Sequence, residues 1–434
     1  MKKVAFCTLG CKVNQYETEA MCELFRNAGY TVTEFDDVAD VYIINTCSVT
    51  SLSDRKSRQM IRRAKKTNPN AIIAVAGCYA QTAADEVAKI DGVSLVVGTN
   101  KRKQIVQMVE ATSKSSTQIV VDNIMHTHKF EELSVTSYSD RTRAYIKIQE
   151  GCSQFCSYCI IPYARGPIRS RPEDEVIREA ERLAENGFCE LVLTGIHVAS
   201  YGRDLKNTSL EKIICEIAKI DKVKRIRLSS IEPMTLDEKF LDAVSAAGDK
   251  LCHHFHISLQ SGCDATLTRM NRKYLSADFE KIVSGLRTLF PDVAITTDIM
   301  VGFPGETEEE FAESLAFANK ISFADMHVFS YSPRRGTPAA VMDNQVSPTV
   351  KHERSAIMIE AAKNNRDKFL NGFIGQKVEV LFEQQHAHME GFYEGKTKNY
   401  ITVVCRSEND LSGKFANVIC NEVSDGVIFA SLEN

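Results

Sequence analysis

The fold of the central part of this chain is decided by residues 144–159, Ala144-Tyr-Ile-Lys-Ile-Gln-Glu-Gly-Cys-Ser-Gln-Phe-Cys-Ser-Tyr-Cys159. Residues 144–149 predict a buried strand, and Cys152, Cys156 and Cys159 follow it in one short loop. Three thiolates on a 4Fe-4S cluster leave one iron without a protein ligand. A structural zinc ion requires four ligands, and no fourth Cys or His lies nearby in the sequence. The loop therefore predicts an iron–sulfur cluster with one open iron.

An open iron can bind a small molecule through two of its atoms. The amino and carboxylate groups of S-adenosylmethionine fit this requirement, and an electron from the cluster would then cleave the sulfonium to a 5′-deoxyadenosyl radical. Phe155 and Tyr158 lie between the cysteines and would shield the cluster from water.

Beyond this loop, five more strand patterns alternate with helix patterns. Six strand–helix units predict an open or partial barrel, with its site at the carboxyl ends of the strands. We assign this barrel to residues 140–370. The five later strands are predicted at residues 191–194, 225–229, 255–259, 294–301 and 327–331.

Residues 1–112 also alternate strand and helix patterns and predict a parallel sheet with crossover helices. Cys11, Cys47 and Cys78 each lie just past a predicted strand, and the carboxyl ends of parallel strands share one edge. Burial as apolar residues is the commoner fate of cysteine, but the repetition at three consecutive strand ends favours a second, auxiliary iron–sulfur cluster. The three strands are predicted at residues 3–8, 41–45 and 71–76.

The rest of the chain divides into a linker and a second small domain. Residues 113–139 are polar, with one strand pattern at 118–121, and predict a linker. Residues 371–434 show alternating strands and Gly-bearing turns without a helix signal, which predicts a small β-barrel. The predicted fold is thus α/β: an amino-terminal parallel sheet domain, a central partial (β/α)6 barrel and a carboxyl-terminal all-β barrel.

Composition limits the classes of function. The 434 residues carry a net charge of −4, so nucleic-acid binding would have to rest on a local patch. No apolar run approaches the roughly 18 residues of a membrane span, and residues 4–11 are too short for a signal-peptide core. We therefore expect a cytoplasmic protein, whose other eight cysteines pack in the core. His253, His254 and His256 open a strand that would split them between its faces, and we expect ordinary structural roles for them.

Several further segments resemble one family in the right order. The chain is similar to the radical-SAM methylthiotransferases over nearly its whole length. Gly10-Cys-Lys-Val-Asn14 with Gln15-Tyr-Glu-Thr18, and Thr194-Gly-Ile-His197, resemble the subfamily that modifies threonylcarbamoyladenosine in tRNA. The other matching segments are Asn45-Thr-Cys-Ser-Val-Thr50, Gly77-Cys-Tyr-Ala-Gln81, Ile160-Ile-Pro-Tyr-Ala-Arg-Gly166, Ser229-Ser-Ile-Glu-Pro233, His256-Ile-Ser-Leu-Gln-Ser-Gly262, Thr297-Asp-Ile-Met-Val-Gly-Phe-Pro-Gly305 and Phe329-Ser-Tyr-Ser-Pro-Arg334.

The resemblance implies a fold, a reaction and cofactors. The layout is a methylthiotransferase domain, a radical-SAM core and a TRAM barrel. The product is 2-methylthio-N6-threonylcarbamoyladenosine beside the anticodon, made with two 4Fe-4S clusters and two uses of S-adenosylmethionine: one methylates a sulfur on the auxiliary cluster and one gives the radical. The alternatives are methylthiolation of isopentenyladenosine or of a ribosomal protein aspartate, and, from another class, a non-catalytic iron–sulfur protein that binds RNA or senses redox state.

Polar residues at the predicted strand ends are candidates for the S-adenosylmethionine pocket, although strand ends are commonly polar. They are Thr194, Gly195, His197, Ser229, Glu232, Ser258, Gln260 and Asp298.

Contacts with tRNA must come from basic patches. One is the basic face of a predicted helix at residues 54–66, which includes Arg55, Arg62 and Arg63. An ordinary solvated surface would explain this face about as well as RNA binding does. The acidic carboxyl-terminal barrel would contact tRNA through a few groups such as Lys396, Lys398 and Tyr400.

Threonylcarbamoyladenosine carries a carboxylate, which an arginine side chain would pair with. The candidates for that role are Arg165, Arg203, Arg334 and Arg335. We expect tRNA and an electron donor such as flavodoxin or ferredoxin as partners, and no membrane; the sequence names no sulfur donor.

Overall fold

The computed structural model describes residues 1–113, 116–136 and 142–433. Residues 114, 115 and 137–139 of the predicted linker lie outside the described residues. Among the described residues, no helix has the length and apolar character that crossing a membrane requires.

The amino-terminal domain is a six-stranded parallel sheet in the order β2-β1-β3-β4-β5-β6. The central strand β3 is buried along its whole length, as expected for a parallel strand covered by helices on both faces. The strand predicted in the linker is β6, which adds to the edge of this sheet. The strands are β1 (Lys3–Thr8), β2 (Thr31–Thr33), β3 (Val41–Thr46), β4 (Ile72–Gly77), β5 (Val93–Val97) and β6 (Gln118–Val120).

Helices connect these strands. In the basic helix α2, Ser57, Ile61 and Ala64 recur at helical spacing and form its buried stripe, while its basic residues lie around the rest of the circumference. The helices are α1 (Lys12–Asn27), α2 (Ser51–Thr67), α3 (Cys78–Thr82), α4 (Ala84–Ala88) and α5 (Ile105–Ala111).

The central domain is a partial barrel of six parallel strands, β7, β9, β10, β11, β12 and β13. Bridges at Ile226–Leu251 and Ile231–Ile257 connect its two sheets, and the short strand β8 pairs antiparallel to β7 at the edge. Strand β11 is shorter than the predicted 255–259, because from Ile257 onward the chain keeps only single bridges to its neighbours. The strands are β7 (Arg143–Glu150), β8 (Arg169–Ser170), β9 (Glu190–Gly195), β10 (Arg225–Leu228), β11 (His254–His256), β12 (Ala294–Val301) and β13 (Asp325–Ser330).

Eight helices of the described residues surround or follow this barrel. One large apolar core joins the strands and helices of the central domain and includes Tyr16 and Ala20 of α1, so the amino-terminal domain packs directly on it. The helices are α6 (Ile161–Arg165), α7 (Glu173–Glu185), α8 (Leu210–Ala218), α9 (Glu238–Ser245), α10 (Asp264–Arg269), α11 (Ser276–Leu289), α12 (Glu308–Ile321) and α13 (Pro348–Asn371).

The carboxyl-terminal domain is a closed five-stranded barrel in the order β14-β15-β16-β18-β17. It is joined to the floor of the central barrel by Arg225 and Arg227 of β10, both about 1% exposed, which donate hydrogen bonds to backbone carbonyls at residues 379 and 396–398. The strands are β14 (Lys377–Gln385), β15 (Phe392–Thr397), β16 (Thr402–Arg406), β17 (Phe415–Ser424) and β18 (Val427–Leu432).

Candidate functional site

The auxiliary triad, Cys11, Cys47 and Cys78, gathers at the carboxyl edge of the amino-terminal sheet. Cys11 precedes α1, Cys47 follows β3, and Cys78 begins α3 directly after β4. The thiols lie close enough together for their charges to interact. A Cβ atom at Gly10 would lie 3.2 Å from the Cys47 sulfur, so the loop before Cys11 crosses directly over Cys47. Three loops distant in sequence thus form one site.

The radical triad, Cys152, Cys156 and Cys159, lies in the loop after β7, and its thiols also interact with one another. The loop begins at Gly151, whose φ is +74° and where a Cβ would lie only 1.9 Å from the Pro167 carbonyl oxygen. Glycine is therefore required at this position, both for its conformation and for the space it leaves.

Both donor sets fit a 4Fe-4S cluster with an open iron. Each triad offers three thiols. Among the described residues, the ligand atoms of His256, Asp298 and His327 lie within 4.8 Å of one another. The three sulfurs of neither triad come that close together. A structural zinc ion requires four ligands, whereas three thiolates suit a 4Fe-4S cluster with one open iron. Burial raises the pKa of Cys152 to about 11 and that of Cys159 to about 12, so a metal must displace protons from these thiols.

A buried ion network lies beneath the auxiliary triad. The Arg165 guanidinium donates to the Cys78 sulfur at 3.2 Å and to carboxylate oxygens of Glu17 and Glu150, each at 3.1 Å. Arg102 and Lys147 pair with the same two carboxylates. Burial alone would raise the pKa of each carboxyl group, but the surrounding cations outweigh it and hold the pKa of Glu17 well below its usual value. The network joins α1 to the central barrel and places a positive charge against Cys78.

Arg272 has the corresponding position at the radical triad. Its guanidinium donates to the Cys156 sulfur at 3.2 Å, pairs with Glu232 and donates to the Ser258 carbonyl oxygen at 3.3 Å. His197 Nε2 lies 4.0 Å from a Glu232 carboxylate oxygen. Three of the residues predicted for the S-adenosylmethionine pocket, His197, Glu232 and Ser258, therefore meet at this triad. The sequence reasoning missed Arg272, because no motif marks a residue so far along the chain from Cys156.

The other predicted pocket residues lie at the same end of the barrel. Thr194 is buried, and Gly195 follows it at the point where β9 passes closely over Gln149. Among the described residues, the buried Ser229 hydroxyl has no hydrogen-bond partner. Gln260 has a left-handed backbone conformation, with φ of +67°, and donates its backbone N–H to the Asp298 carbonyl oxygen at 2.8 Å.

A cavity of about 230 Å³ lies between the segment that follows Cys47 and the radical loop. Val49 and Thr50, just beyond Cys47, line one side, and Tyr158 and Cys159 of the radical loop line another. The cavity also reaches Gln260, Asp298, Met300 and Phe329. A molecule bound here would contact the loops of both triads, which is the placement that a substrate of both would need.

Asp298 is held by two histidines beside this cavity. Its carboxylate oxygens lie 3.2 Å from His256 Nε2 and 3.5 Å from His327 Nδ1. Burial would raise the pKa of Asp298, but the hydrogen bonds from both rings lower it overall, and the pair with Asp298 raises the pKa of His327. His254 and His256 face the barrel interior while His253 pairs with Asp292 outside, so the predicted alternation holds.

Some of the arginines that were predicted to contact RNA or substrate are exposed, and others are paired with groups of the protein. Arg55 and Arg62 are exposed on α2, whereas Arg63 forms an exposed ion pair with Asp36. Arg203 and Arg335 are exposed on loops at the site end of the barrel.

The prediction that Arg165 contacts RNA or substrate requires correction. Its side chain is 0% exposed and fully engaged in the ion network. Arg334 is also committed, because it donates to Ser48 and Asp54 of the amino-terminal domain at 2.8 and 2.6 Å. It connects the two domains at the mouth of the cavity.

Tyr400 of the carboxyl-terminal barrel packs against the central barrel, and the partly buried Lys396 lies beside it. The Tyr400 ring stacks on His254 with 4.8 Å between ring centroids, and Arg143 and Arg227 lie over it at 5.3 and 4.7 Å. Lys396 lies 4.9 Å from the same ring. The expectation that these two residues contact tRNA is therefore corrected: they close the floor of the barrel.

Comparisons with known families and relatives agree with this architecture. Residues 3–98 match the model of uncharacterized protein family UPF0004, and residues 146–318 match that of the radical SAM superfamily. The chain is 44% identical over 422 residues to threonylcarbamoyladenosine tRNA methylthiotransferase MtaB of Bacillus subtilis (strain 168), covering 96% of this chain and 93% of the relative.

A more distant relative has a related name. Over 431 residues the chain is 34% identical to tRNA-2-methylthio-N(6)-dimethylallyladenosine synthase of Acetivibrio thermocellus, covering 97% of this chain and 89% of the relative. Among solved structures, the radical S-adenosylmethionine methyltransferase TsrM from Kitasatospora setae has a TM-score of 0.60 at 16% identity, covering 78% of this chain and 77% of that one. That likeness shows a shared fold alone.

Proposed function

The chain belongs to the threonylcarbamoyladenosine tRNA methylthiotransferases, which are radical-SAM enzymes, and on that premise we propose that its two cysteine triads divide the reaction between them. The enzyme converts threonylcarbamoyladenosine in tRNA to its 2-methylthio derivative, with S-adenosylmethionine and 4Fe-4S clusters as cofactors. The radical triad would hold the cluster that binds S-adenosylmethionine, and the auxiliary triad the cluster that carries sulfur. The observation that carries this division is the cavity lined by the loops of both triads.

When bound, the clusters supply an electron to cleave S-adenosylmethionine and a place to hold the sulfur that is methylated and inserted. The protein's own residues bind and orient. Arg272 would place a positive charge at Cys156 and hold Glu232 toward the pocket, where a carboxylate suits the cationic sulfonium ligand. His197, Ser258 and Gln260 would line the same pocket, with Thr194, Gly195, Ser229 and Asp298 at its remaining strand ends.

On the opposite side, Arg165 would stabilise the thiolate form of Cys78 with a buried charge that salt screens only weakly. Because Arg165 also pairs with Glu17 and Glu150, the auxiliary loops are fixed relative to the central barrel. Arg334 adds a second connection between the domains at the mouth of the cavity. These contacts would keep both clusters within reach of one adenine.

We propose that tRNA lies across α2, whose exposed residues Arg55 and Arg62 would hold phosphates next to the Cys47 loop. Arg203 and Arg335, on the site side of the barrel, would extend this surface. The reaction would take place in the cytoplasm, with flavodoxin or ferredoxin as electron donor. The domains would divide at residues 1–112, 140–370 and 371–434, with residues 113–139 as the linker.

The test is methylthiolation by the reconstituted enzyme under reducing, anaerobic conditions. Transfer RNA bearing threonylcarbamoyladenosine should yield its 2-methylthio derivative by mass spectrometry, together with 5′-deoxyadenosine. Transfer RNA bearing isopentenyladenosine should yield none. Product from the isopentenyl substrate alone would assign the other specificity, and 5′-deoxyadenosine without either product would contradict the function.

The RNA surface has its own test. Replacing Arg55 and Arg62 together by Ala should reduce the slope of log affinity against log salt by about 2, because each arginine would neutralise one phosphate. Arg63→Ala is the matched control on the same helix, because Asp36 already pairs with Arg63. An unchanged slope in the double variant would remove α2 from the tRNA surface.

A further inference from the structure

Lys12 is a cation inside the barrel that takes no part in either triad's proposed task. It directly follows Cys11 of the auxiliary triad, begins α1 and is half-buried. Burial and the charges of Arg227 and Arg143 lower the pKa of Lys12, whereas the interaction with Tyr400 raises it. The Lys12 charge also acts on His327 beside the cavity. Lys12 therefore places a positive charge that interacts both with Cys11 of the auxiliary triad and with Tyr400 at the floor of the barrel.

Lys12 differs from the two floor arginines, Arg227 and Arg143, in forming no ion pair among the described residues. The floor carboxylate Glu190 is paired with Arg227 at 2.7 Å, and Glu383 is paired with Arg143 at 2.9 Å. Among the residues that the structure describes, no ion pair or hydrogen bond engages the Lys12 ammonium. The interior next to the auxiliary triad thus has a positive charge that is free to bind an anion.

The substrate carries a carboxylate that would lie near the auxiliary triad. Sulfur is inserted at carbon 2 of adenine, so that carbon must approach the cluster that Cys11 would ligate. The threonylcarbamoyl group is carried on the same six-membered ring and ends in a carboxylate. Burying that carboxylate without a partner is strongly unfavourable. Arg165 and Arg334, two arginines expected to pair it, are engaged with protein carboxylates instead.

We propose that the Lys12 ammonium binds the carboxylate of the threonylcarbamoyl group and so makes the enzyme prefer this adenosine over one with an uncharged side chain. The inference rests on the proposed function and names the residue that determines its specificity. Lys12 is a specificity residue and takes no part in the radical step.

The experiment compares two RNAs bound to the cluster-loaded enzyme. One is an anticodon stem-loop carrying threonylcarbamoyladenosine, and the other carries the same group with its carboxylate converted to a methylamide. Fluorescence anisotropy gives the Kd for each RNA, and product formation gives KM and kcat. The variants are Lys12→Met, Lys12→Arg and, as a matched control, Lys89→Met at an exposed position of the amino-terminal domain.

The wild-type enzyme should bind the carboxylate RNA more tightly than the amide RNA. Lys12→Met should reduce this preference by about 30-fold or more, through weaker binding of the carboxylate RNA, with the loss appearing in KM rather than kcat. Lys12→Arg should retain most of the preference, and Lys89→Met all of it. If Lys12→Met weakens both RNAs by the same factor, or neither, the inference is overturned. Wild-type enzyme that shows the binding preference but forms no methylthio product would contradict the proposed function and leave the role of Lys12 supported.

Discussion

The two cysteine triads are built in opposite ways. The radical triad comes from one loop of eight residues after β7, whereas the auxiliary triad comes from three loops about thirty residues apart, which meet only because β1, β3 and β4 are neighbours in one sheet. Yet both have a buried arginine that donates to one cysteine sulfur at 3.2 Å, Arg165 at Cys78 and Arg272 at Cys156.

This difference shows what each site depends on. The radical loop requires local geometry, above all the glycine at its start, and its arginine lies just beyond the end of α10 in the same domain. The auxiliary site requires the tertiary packing of two domains, because Arg165 belongs to the central barrel while Cys78 and Glu17 belong to the amino-terminal domain. Damage to the domain interface should therefore affect the auxiliary site first.

The largest expected effect comes from removing these arginines. Arg165→Met leaves Glu17 and Glu150 buried with fewer cations, so the free energy of unfolding of the cluster-free protein should fall by about 3–5 kcal/mol. Arg272→Met leaves only the partly exposed Glu232, and the fall should be about 1.5–3 kcal/mol. Urea denaturation measures both. Equal losses would show that the domain interface has no special dependence on Arg165.

Substitutions at two glycines should distinguish the triads, because each glycine supports the backbone beside only one of them. At Gly77, which precedes Cys78, φ is +95° and a Cβ would lie 2.6 Å from Asn45 Oδ1 and from the Thr46 carbonyl oxygen. Gly77→Ala should cost about 1–3 kcal/mol of stability and lower iron binding at the auxiliary triad, with S-adenosylmethionine cleavage retained.

Gly151→Ala should give the reverse pattern of function, because the clash falls on the radical loop. Iron content and 5′-deoxyadenosine formation, measured side by side on the two variants, check the pair. Loss of both clusters in either variant would contradict the independence of the two sites.

A smaller effect is expected at the interface between the domains. Arg334→Ala removes the partly buried ion pair with Asp54, and we expect a loss of stability of about 1 kcal/mol. Because the two sides of the cavity would then be held less firmly, the ratio of 5′-deoxyadenosine to methylthio product should rise by about tenfold. An unchanged ratio would show that the remaining interactions between the domains suffice to align the sites.

The sequence was sufficient to predict the layout of the three domains and the convergence of Cys11, Cys47 and Cys78. That convergence follows from a general property of parallel sheets, so it required no knowledge of side-chain packing. The C-x3-C-x2-C loop lies within one short segment, so its three cysteines could be predicted to share a site equally well. The fold class, the family and the cofactors are confirmed by the comparisons.

The errors concern charged and polar side chains. Arg165 and Tyr400 were expected to face a ligand, because charged and polar groups on loops are commonly exposed. Their burial depends on partners far along the chain: Glu17 for Arg165, and Arg143, Arg227 and His254 for Tyr400. Arg272 was missed for the same reason. A single sequence does not show such long-range pairs.

The central claim is that the two triads hold separate clusters with separate tasks, and the iron content of two triple variants tests it most directly. After anaerobic reconstitution the wild type should bind about eight irons, as two 4Fe-4S clusters. With Cys152, Cys156 and Cys159 replaced by Ala, about four irons should remain and S-adenosylmethionine cleavage should be lost. With Cys11, Cys47 and Cys78 replaced, about four irons and 5′-deoxyadenosine formation should remain, but no methylthiolated tRNA. An unchanged iron count in either variant, or methylthiolated tRNA from the second, would contradict this division of tasks.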